Sequence, residues 1–452
     1  MKTNTIWLWA LFALLPASLL AAPFPSTYKP LPSAPTAIVG ANLFIGDGRG
    51  ISGGYVIFRE GVITAVGAGD PPDTAGLEVV DAAGRWVTPG IIDVHSHLGV
   101  YASPGYGPHS DGNESTSPNT AEVWAEHSVW PQDPQFPLAL AGGVTTLQVL
   151  PGSANLFGGR SVVLKNVPSR TVQGMKFPDA PYGLKMACGE NPKRVYGNKG
   201  KMPSTRMGNV AEYRSEWIKA QKYRDKWRAW EEAVAAGEED KEAPTRDLRL
   251  ETMMGVLEGE ILVHNHCYRA DEMAIMLDVA QEFGYAITAF HHAVESYKIA
   301  DMLAAEGVCS AMWADWGRFK LEAFDAIKEN VALVDAAGAC AIVHSDSKWD
   351  IQRLNQEAAK ALAAGRRMGL NISEAEAFRW LTLNAAKALG LDARIGSLEG
   401  GKAADIVIWD KNPFSVYSRV DRVFIDGAVF YDRASGLEPV TDFELGQREE
   451  IR

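Results

Sequence analysis

Positive charge is scarce. The 452-residue chain carries 44 lysines and arginines against 56 aspartates and glutamates, a net charge of −12. That balance argues against a nucleic-acid ligand and against anionic membrane surfaces. A membrane-length apolar run is also missing. The run Ile6–Leu20 falls short of the roughly 20 residues a bilayer span needs. With Lys2 before it and Ala21-Ala22 after it, it reads as a signal peptide over residues 1–22, Pro23 leaving the cut position open. No cysteine stands directly after the run, so a lipid anchor of the bacterial lipoprotein kind is not expected. The mature protein is expected to be exported, in the periplasm, and free of the membrane after cleavage. Cysteines number only four: Cys188, Cys267, Cys309 and Cys340. Each falls in or beside an apolar strand-like run, so buried free thiols are expected, one pair across neighbouring strands being left open.

What is present is globular. At 46% hydrophobic and 22% charged residues, the chain can bury one large core and a smaller one. Residues 36–88 are short β runs separated by turn signals such as Asp47-Gly48 and Glu60-Gly61, and the same texture returns at Ala404–Trp409, Val423–Ile425 and Ala428–Tyr431. Neither block can bury both faces of its own sheet. Together they predict a small discontinuous β-sandwich, built from segments 23–86 and 399–434, with a tail at 435–452.

The middle, 87–398, alternates short apolar runs with helical periodicity. The runs are Ile91–His97, Val144–Leu150, Ser161–Val167, Gly183–Cys188, Ile261–His266, Ala286–His292, Gly307–Trp313 and Cys340–Asp346. Eight strands with helical segments between them predict an α/β fold of the (β/α)8 barrel kind. The surplus, 193–255, reads as a helical insertion between strands four and five, either a lid or a charged hairpin on the outside. Ser373 and Glu376 predict a capping box at the start of the last barrel helix, and Gly390 its end.

Within the first barrel strand, His95 and His97 lie two residues apart. Strand side chains alternate, so both imidazoles share one face and can reach one cation. Further candidates stand at later strand ends: Lys185 and Glu190, His264 and His266 with Tyr268 and Arg269, His291 and His292, and Asp346. Barrel sites gather at such ends.

The sequence resembles the amidohydrolase superfamily, and within it exported relatives of imidazolonepropionase and prolidase-like metal-dependent dipeptidases. The resemblance rests on Val87–His97, on Gly142-Gly-Val-Thr-Thr-Leu-Gln148, on Thr382–Gly390 and on Gly396–Trp409, and it covers nearly all of the mature chain. It implies a barrel with a discontinuous β-sandwich. It also implies a metal set of His95, His97, His266, His292 and Asp346, with a carboxylated Lys185 as the bridge and Glu190 as the rival bridging carboxylate. Of the paired histidines it selects His266 over His264. Since alternation lets only one of the adjacent pair face inward, it selects His292 over His291. Tyr268 is implied as a substrate holder.

Imidazoles and carboxylates suit zinc and comparable metals, and two Zn(2+) per chain are expected. Divalent metal brings the pKa of water to about 7, and Asp346 is expected to be the catalytic proton carrier. Asn113 and Glu114, on the loop after strand one, and Arg269 are candidate substrate contacts. Arg160, Arg194 and Arg206 are further basic groups able to meet a substrate carboxylate.

The expected activity is hydrolysis of a non-ester C–N bond, in a dipeptide or N-acyl amino acid. Cyclic-amide opening of the imidazolonepropionase kind and deamination are the alternatives. A metal-holding exported binding protein is the non-enzyme alternative. The expected partner is a small-molecule substrate, and a homo-oligomer is left open.

Overall fold

The computed structural model describes residues 24–238 and 240–436; the apolar segment 1–22 and most of the tail 435–452 lie outside the described residues. Eight strands make the barrel sheet: β6 (Ile91–Ser96), β7 (Val144–Val149), β8 (Phe157–Lys165), β9 (Gly183–Ala187), β10 (Leu262–Cys267), β11 (Ala289–His292), β12 (Cys309–Met312) and β13 (Cys340–Val343), paired in that order. The circle closes through polar groups rather than a ladder. The Ser345 amide and hydroxyl donate to the Asp93 carboxylate, and the Asp346 amide donates to the His95 carbonyl at 3.0 Å.

The third strand departs from the expected pattern. β8 runs antiparallel to both β7 and β9, and no helix separates β7 from β8. The reason is chain length. Only residues 150–156 join them, whereas a parallel crossover takes a dozen residues or more. The strand therefore opens at Phe157, four residues before the apolar run Ser161–Val167.

The chain ends build the second sheet. β1 (Thr36–Phe44), β2 (Gly50–Arg59), β3 (Val62–Ala68), β4 (Glu78–Asp81) and β5 (Trp86–Pro89) join β14 (Ile406–Trp409), β15 (Val420–Ile425) and β16 (Ala428–Asp432). The seam is antiparallel, β14 on β5. The two halves share a core of Ile38, Leu43, Phe58, Ile406, Ile408 and Phe424. Phe58 and Phe424 meet edge to face at 5.5 Å.

Helices fill the outside: α1 (Gln135–Ala141), α2 (Glu190–Gly197), α3 (Arg206–Ala235), α4 (Leu248–Leu257), α5 (Ala270–Phe283), α6 (Ala300–Ala305), α7 (Asn330–Ala336), α8 (Leu354–Arg367), α9 (Glu374–Phe378) and α10 (Leu383–Ala388). The insertion between β9 and β10 is α2, α3 and α4. It is anchored to the barrel, because α3 buries Tyr213 and Trp217, and Trp217 packs on Phe157 of β8 and Tyr285. The Ser373–Glu376 capping box is present, but the helix it starts is α9. A turn of 3₁₀ and then α10 continue it, and Gly390 follows at φ +67°.

The cysteine expectation is corrected. All four are oxidised, in the pairs Cys188–Cys267 and Cys309–Cys340. β9 pairs with β10 and β12 with β13, so each pair sits on adjacent strands with Cα atoms 5.2 and 4.4 Å apart, within bonding range. One bond lies at the end of the barrel where strand C-termini gather, the other at the opposite end.

Candidate active site

His95 sits at the end of β6 in full burial, and the Nε2 atoms of His95 and His97 are 3.3 Å apart. His97 donates from Nδ1 to the Leu150 carbonyl at 2.9 Å, which leaves its Nε2 as the lone-pair nitrogen. Asp346 joins them, its Oδ1 at 3.1 Å from His97 Nε2 and 3.6 Å from His95 Nε2. Its Oδ2 is 3.8 Å from His292 Nδ1. Ligand atoms of His95, His97 and Asp346 fall within 4.8 Å of one another, and so do those of His95, His292 and His344. Both groups share His95.

Lys185 on β9 is wholly buried, and its Nζ lies 3.4 Å from His95 Nε2, with no carboxylate among the described residues in salt-bridge range. Burial draws its pKa down to about 7, with Asp346 opposing weakly. Burial likewise holds His95, His264, His266, His291, His292 and His344 below the ordinary imidazole range, with Lys185 pressing the same way. Neutral imidazoles are the form that binds metal. Asp93 moves in the opposite direction, up to about 7, because burial outweighs the hydrogen bonds it receives from Ser345 and His95.

One expectation about the strand ends fails. Both His291 and His292 face inward. Alternation breaks because the backbone leaves the strand at this point, with φ of +69° at His292 and +35° at Ala293. Asp346 is left-handed as well, at +50°. Such strain gathers where a site fixes its side chains. His291 bonds His95 through Nδ1 at 2.8 Å and His264 through Nε2 at 2.9 Å, so the deeper imidazoles brace the outer ones.

His266 packs against His292 with ring centroids 4.6 Å apart. Its nitrogens, however, meet Ser153 Oγ at 2.8 Å and Asn191 Nδ2 at 3.4 Å, outside both convergent groups. Glu190 also stands apart. It begins α2 and pairs with Lys320 at 3.4 Å. Tyr268 is buried and stacks on His292 at 5.5 Å.

Arg269 does not enter the site, because its guanidinium closes on Asp271 at 2.8 Å at the mouth of α5. Arg206 is held by Glu272 and Glu322, and Arg160 stacks on Trp124 at 4.2 Å. Asn113 Nδ2 donates to the Tyr101 hydroxyl at 2.5 Å, and Tyr101 in turn packs on His97 at 5.4 Å. Asn113 and Glu114 line a neighbouring cavity of about 390 Å³ rather than the one that contains Asp346.

Sequence reasoning set His291 aside in favour of His292 and passed over His344, Trp313 and Lys320. For His344 the signal was there. It precedes Asp346 by two residues, the spacing that puts two side chains on one strand face. Trp313, stacked on His292 at 4.4 Å, follows β12 with no spacing cue.

The residues fit a divalent cation. Nδ1 of His292 and Nδ1 of His344 are buried with no hydrogen-bond partner, a costly state that coordination relieves.

Comparison with known proteins places this geometry. Residues 224–430 match the model of the Amidohydrolase family. The crystal structure of an amidohydrolase from Thermotoga maritima MSB8 is 36% identical, covers 88% of this chain and 100% of that one, and superposes with a TM-score of 0.79. Amidohydrolase tasK of Hapsidospora irregularis is 33% identical over 400 residues, 84% of this chain and 40% of tasK, so the chain spans about two fifths of that relative. Imidazolonepropionase of Mesorhizobium japonicum is 26% identical over 384 residues, 79% of this chain and 86% of that protein.

Proposed function

The chain belongs to the amidohydrolase family, and from that premise we propose that it hydrolyses an amide C–N bond, in a dipeptide or an N-acyl amino acid. The observation that carries the reading is the convergence of His95, His97, His292, His344 and Asp346 beside a buried lysine that has no counter-charge. Two divalent ions, zinc by donor type, would be held by His95, His97, His292 and Asp346. A carboxylated Lys185 and His266 would be further ligands. Such ions supply a nucleophile from water near neutral pH and polarise the scissile carbonyl.

The chain's own groups do the rest. Asp346 takes the proton of the attacking water and returns it to the leaving nitrogen, first base and then acid. His97, fixed by the Leu150 carbonyl, and His95, fixed by His291, keep their free nitrogens aimed at the centre. Tyr268 and Trp313 cover His292 and exclude water from that side.

The likeness to imidazolonepropionase supports a second reading, opening of a cyclic amide. Export to the periplasm belongs to the same proposal. Its support is the apolar segment at 6–20 and the two disulfides, which persist in oxidising compartments. The deciding assay is turnover by metal-loaded protein of dipeptides, N-acyl amino acids and cyclic ureides. Amide cleavage supports the first reading, and ring opening alone supports the second. Metal uptake with no turnover of any of them would leave a metal-holding binding protein.

A further inference from the structure

The loop that follows β12 supplies the site with two unlike surfaces. Trp313 stacks on His292, Trp316 packs on Trp313 at 5.6 Å, and Phe319 packs on Trp313 at 5.9 Å and on Tyr268 at 6.3 Å. Lys320 then turns back toward the barrel, and its ammonium rests 4.0 Å from the centre of the Tyr268 ring. It donates to Asn191 Oδ1 at 3.2 Å, and Asn191 contacts His266 through its own amide nitrogen. Among the described residues, the carboxylate within salt-bridge distance is Glu190 at 3.4 Å. That is a long pair, against 2.7–2.9 Å for a charge-assisted hydrogen bond. Lys320 is thus a half-buried cation, fixed in place by Tyr268 and Asn191, one side chain away from His266 and His292.

On the other side of the centre, a cavity of about 390 Å³ contains His97 and Asp346 and is walled by Tyr101, Tyr106, Trp316 and Trp349. Tyr106 is 68% exposed, Trp316 40% and Trp349 58%. Large aromatic groups left in water at the mouth of a site mark a surface that a ligand covers. Trp316 belongs to this wall and Lys320 to the cationic side, so one short loop sets both.

We propose that the loop Trp313–Leu321 selects the substrate: Lys320 holds a free carboxylate on the Tyr268 side, and the Trp316–Trp349 cavity takes a bulky apolar or aromatic group on the Asp346 side. The substrate class is an amide with an aromatic or large aliphatic group on one side and a free carboxylate on the other. This rests on the amide-hydrolase reading and narrows it. Glu190 has to yield the ammonium when the substrate binds.

The test is a panel of N-acyl amino acids and dipeptides, N-benzoylglycine among them, each as the free acid and as the C-terminal carboxamide. Wild-type protein is expected to favour the free acid by roughly tenfold or more in kcat/KM, the scale of a hydrogen-bonded ion pair, and to favour benzoyl over acetyl. Lys320→Met keeps the stem on Tyr268 and removes the charge. It is expected to abolish the free-acid preference through KM, while Lys320→Arg restores part of it. Glu190→Gln is expected to lower KM for the free acid.

An unchanged preference in Lys320→Met overturns the proposal, as does loss of the preference in Lys348→Met instead, Lys348 being the cation that lines the Asp346 cavity beside Trp349. Preference for acetyl over benzoyl overturns the apolar half. Absence of any amide cleavage by the metal-loaded wild type overturns the amide-hydrolase reading itself, a result separate from cleavage without discrimination.

Discussion

Two lysines lie on neighbouring strands of the same barrel, equally sealed from water, and among the described residues only one of them has a counter-charge. Lys165 ends β8 at the floor, 2% exposed, with Asp426 at 2.8 Å and Asp405 at 3.4 Å. Lys185, on β9, is 0% exposed near the mouth and meets only an imidazole. A buried cation with carboxylates around it belongs to the fold's own charge balance. One without them is unstable as it stands and marks chemistry still to be completed. Burial alone therefore does not separate a structural lysine from a functional one; the neighbours do.

The mouth should show the largest effects. Asp346→Asn keeps the shape and some ligand capacity but cannot accept a proton. Turnover is expected to fall roughly 10²–10⁴-fold while much of the metal is retained. Near-normal turnover in that variant would move the proton to another group.

The lysines themselves come next, with opposite signatures. Lys185→Met is expected to lose metal and activity, restored to some extent by short carboxylates in the buffer in a Lys185→Ala variant, and to unfold no earlier than wild type. Lys165→Met strands two buried carboxylates and is expected to cost about 3–5 kcal/mol of stability, with metal per folded chain unaltered. Metal analysis of the wild type should approach about two ions per chain, and a value near one would leave Lys185 without a bridging task. Exchange of the two signatures would break the comparison.

The expected fold was legible because the evidence for it is local and repeated. The eight apolar runs, the β texture at both ends and the Ser373 cap each follow from spacing or capping rules that act within a few residues. His95 and His97 were paired by strand spacing and Asp346 by the family resemblance, and the structure brings the three within ligand reach of one another. What the sequence hid was set by contacts between distant strands. His291 and His292 both turn inward only because the backbone passes into the left-handed region there. Lys320 is placed by Tyr268 and Asn191, which are far from it in the chain. The disulfides needed the strand order, since Cys188 and Cys267 are 79 residues apart and adjacent only in the sheet.

Those disulfides sharpen the contrast further. Each is expected to contribute about 2–4 kcal/mol, but Cys267 stands between His266 and Tyr268. Replacing Cys188 and Cys267 by alanine should lower both thermal stability and metal retention. Replacing Cys309 and Cys340 should lower stability alone. Equal loss of metal from both variants would show that the staple at the mouth has no special hold on the site.

The smallest effect is one of pH at the floor. Burial lifts the Asp405 carboxyl from its ordinary 3.8 to about 6, with Lys165 opposing. The folded state therefore binds a proton that the unfolded state has released. This contribution is full below pH 3.8 and is lost as pH rises through about 6. Asp405→Asn should flatten that region of the stability curve, a change on the order of 1 kcal/mol between pH 4 and 6.5 in denaturant midpoints. An unaltered slope would place the titration elsewhere.

The seam between β5 and β14 has a consequence in time. During synthesis β1–β5 emerge first, yet their partner strands and both counter-charges of Lys165, Asp405 and Asp426, arrive 240 residues or more after that lysine. Until then the nascent chain offers an open sheet edge and an uncompensated ammonium at the floor, so ribosome-bound intermediates of this protein have to be guarded against edge pairing until translation is nearly complete. Truncation shortly before residue 404 would trap the chain in that state, with a barrel able to form above a floor that cannot close.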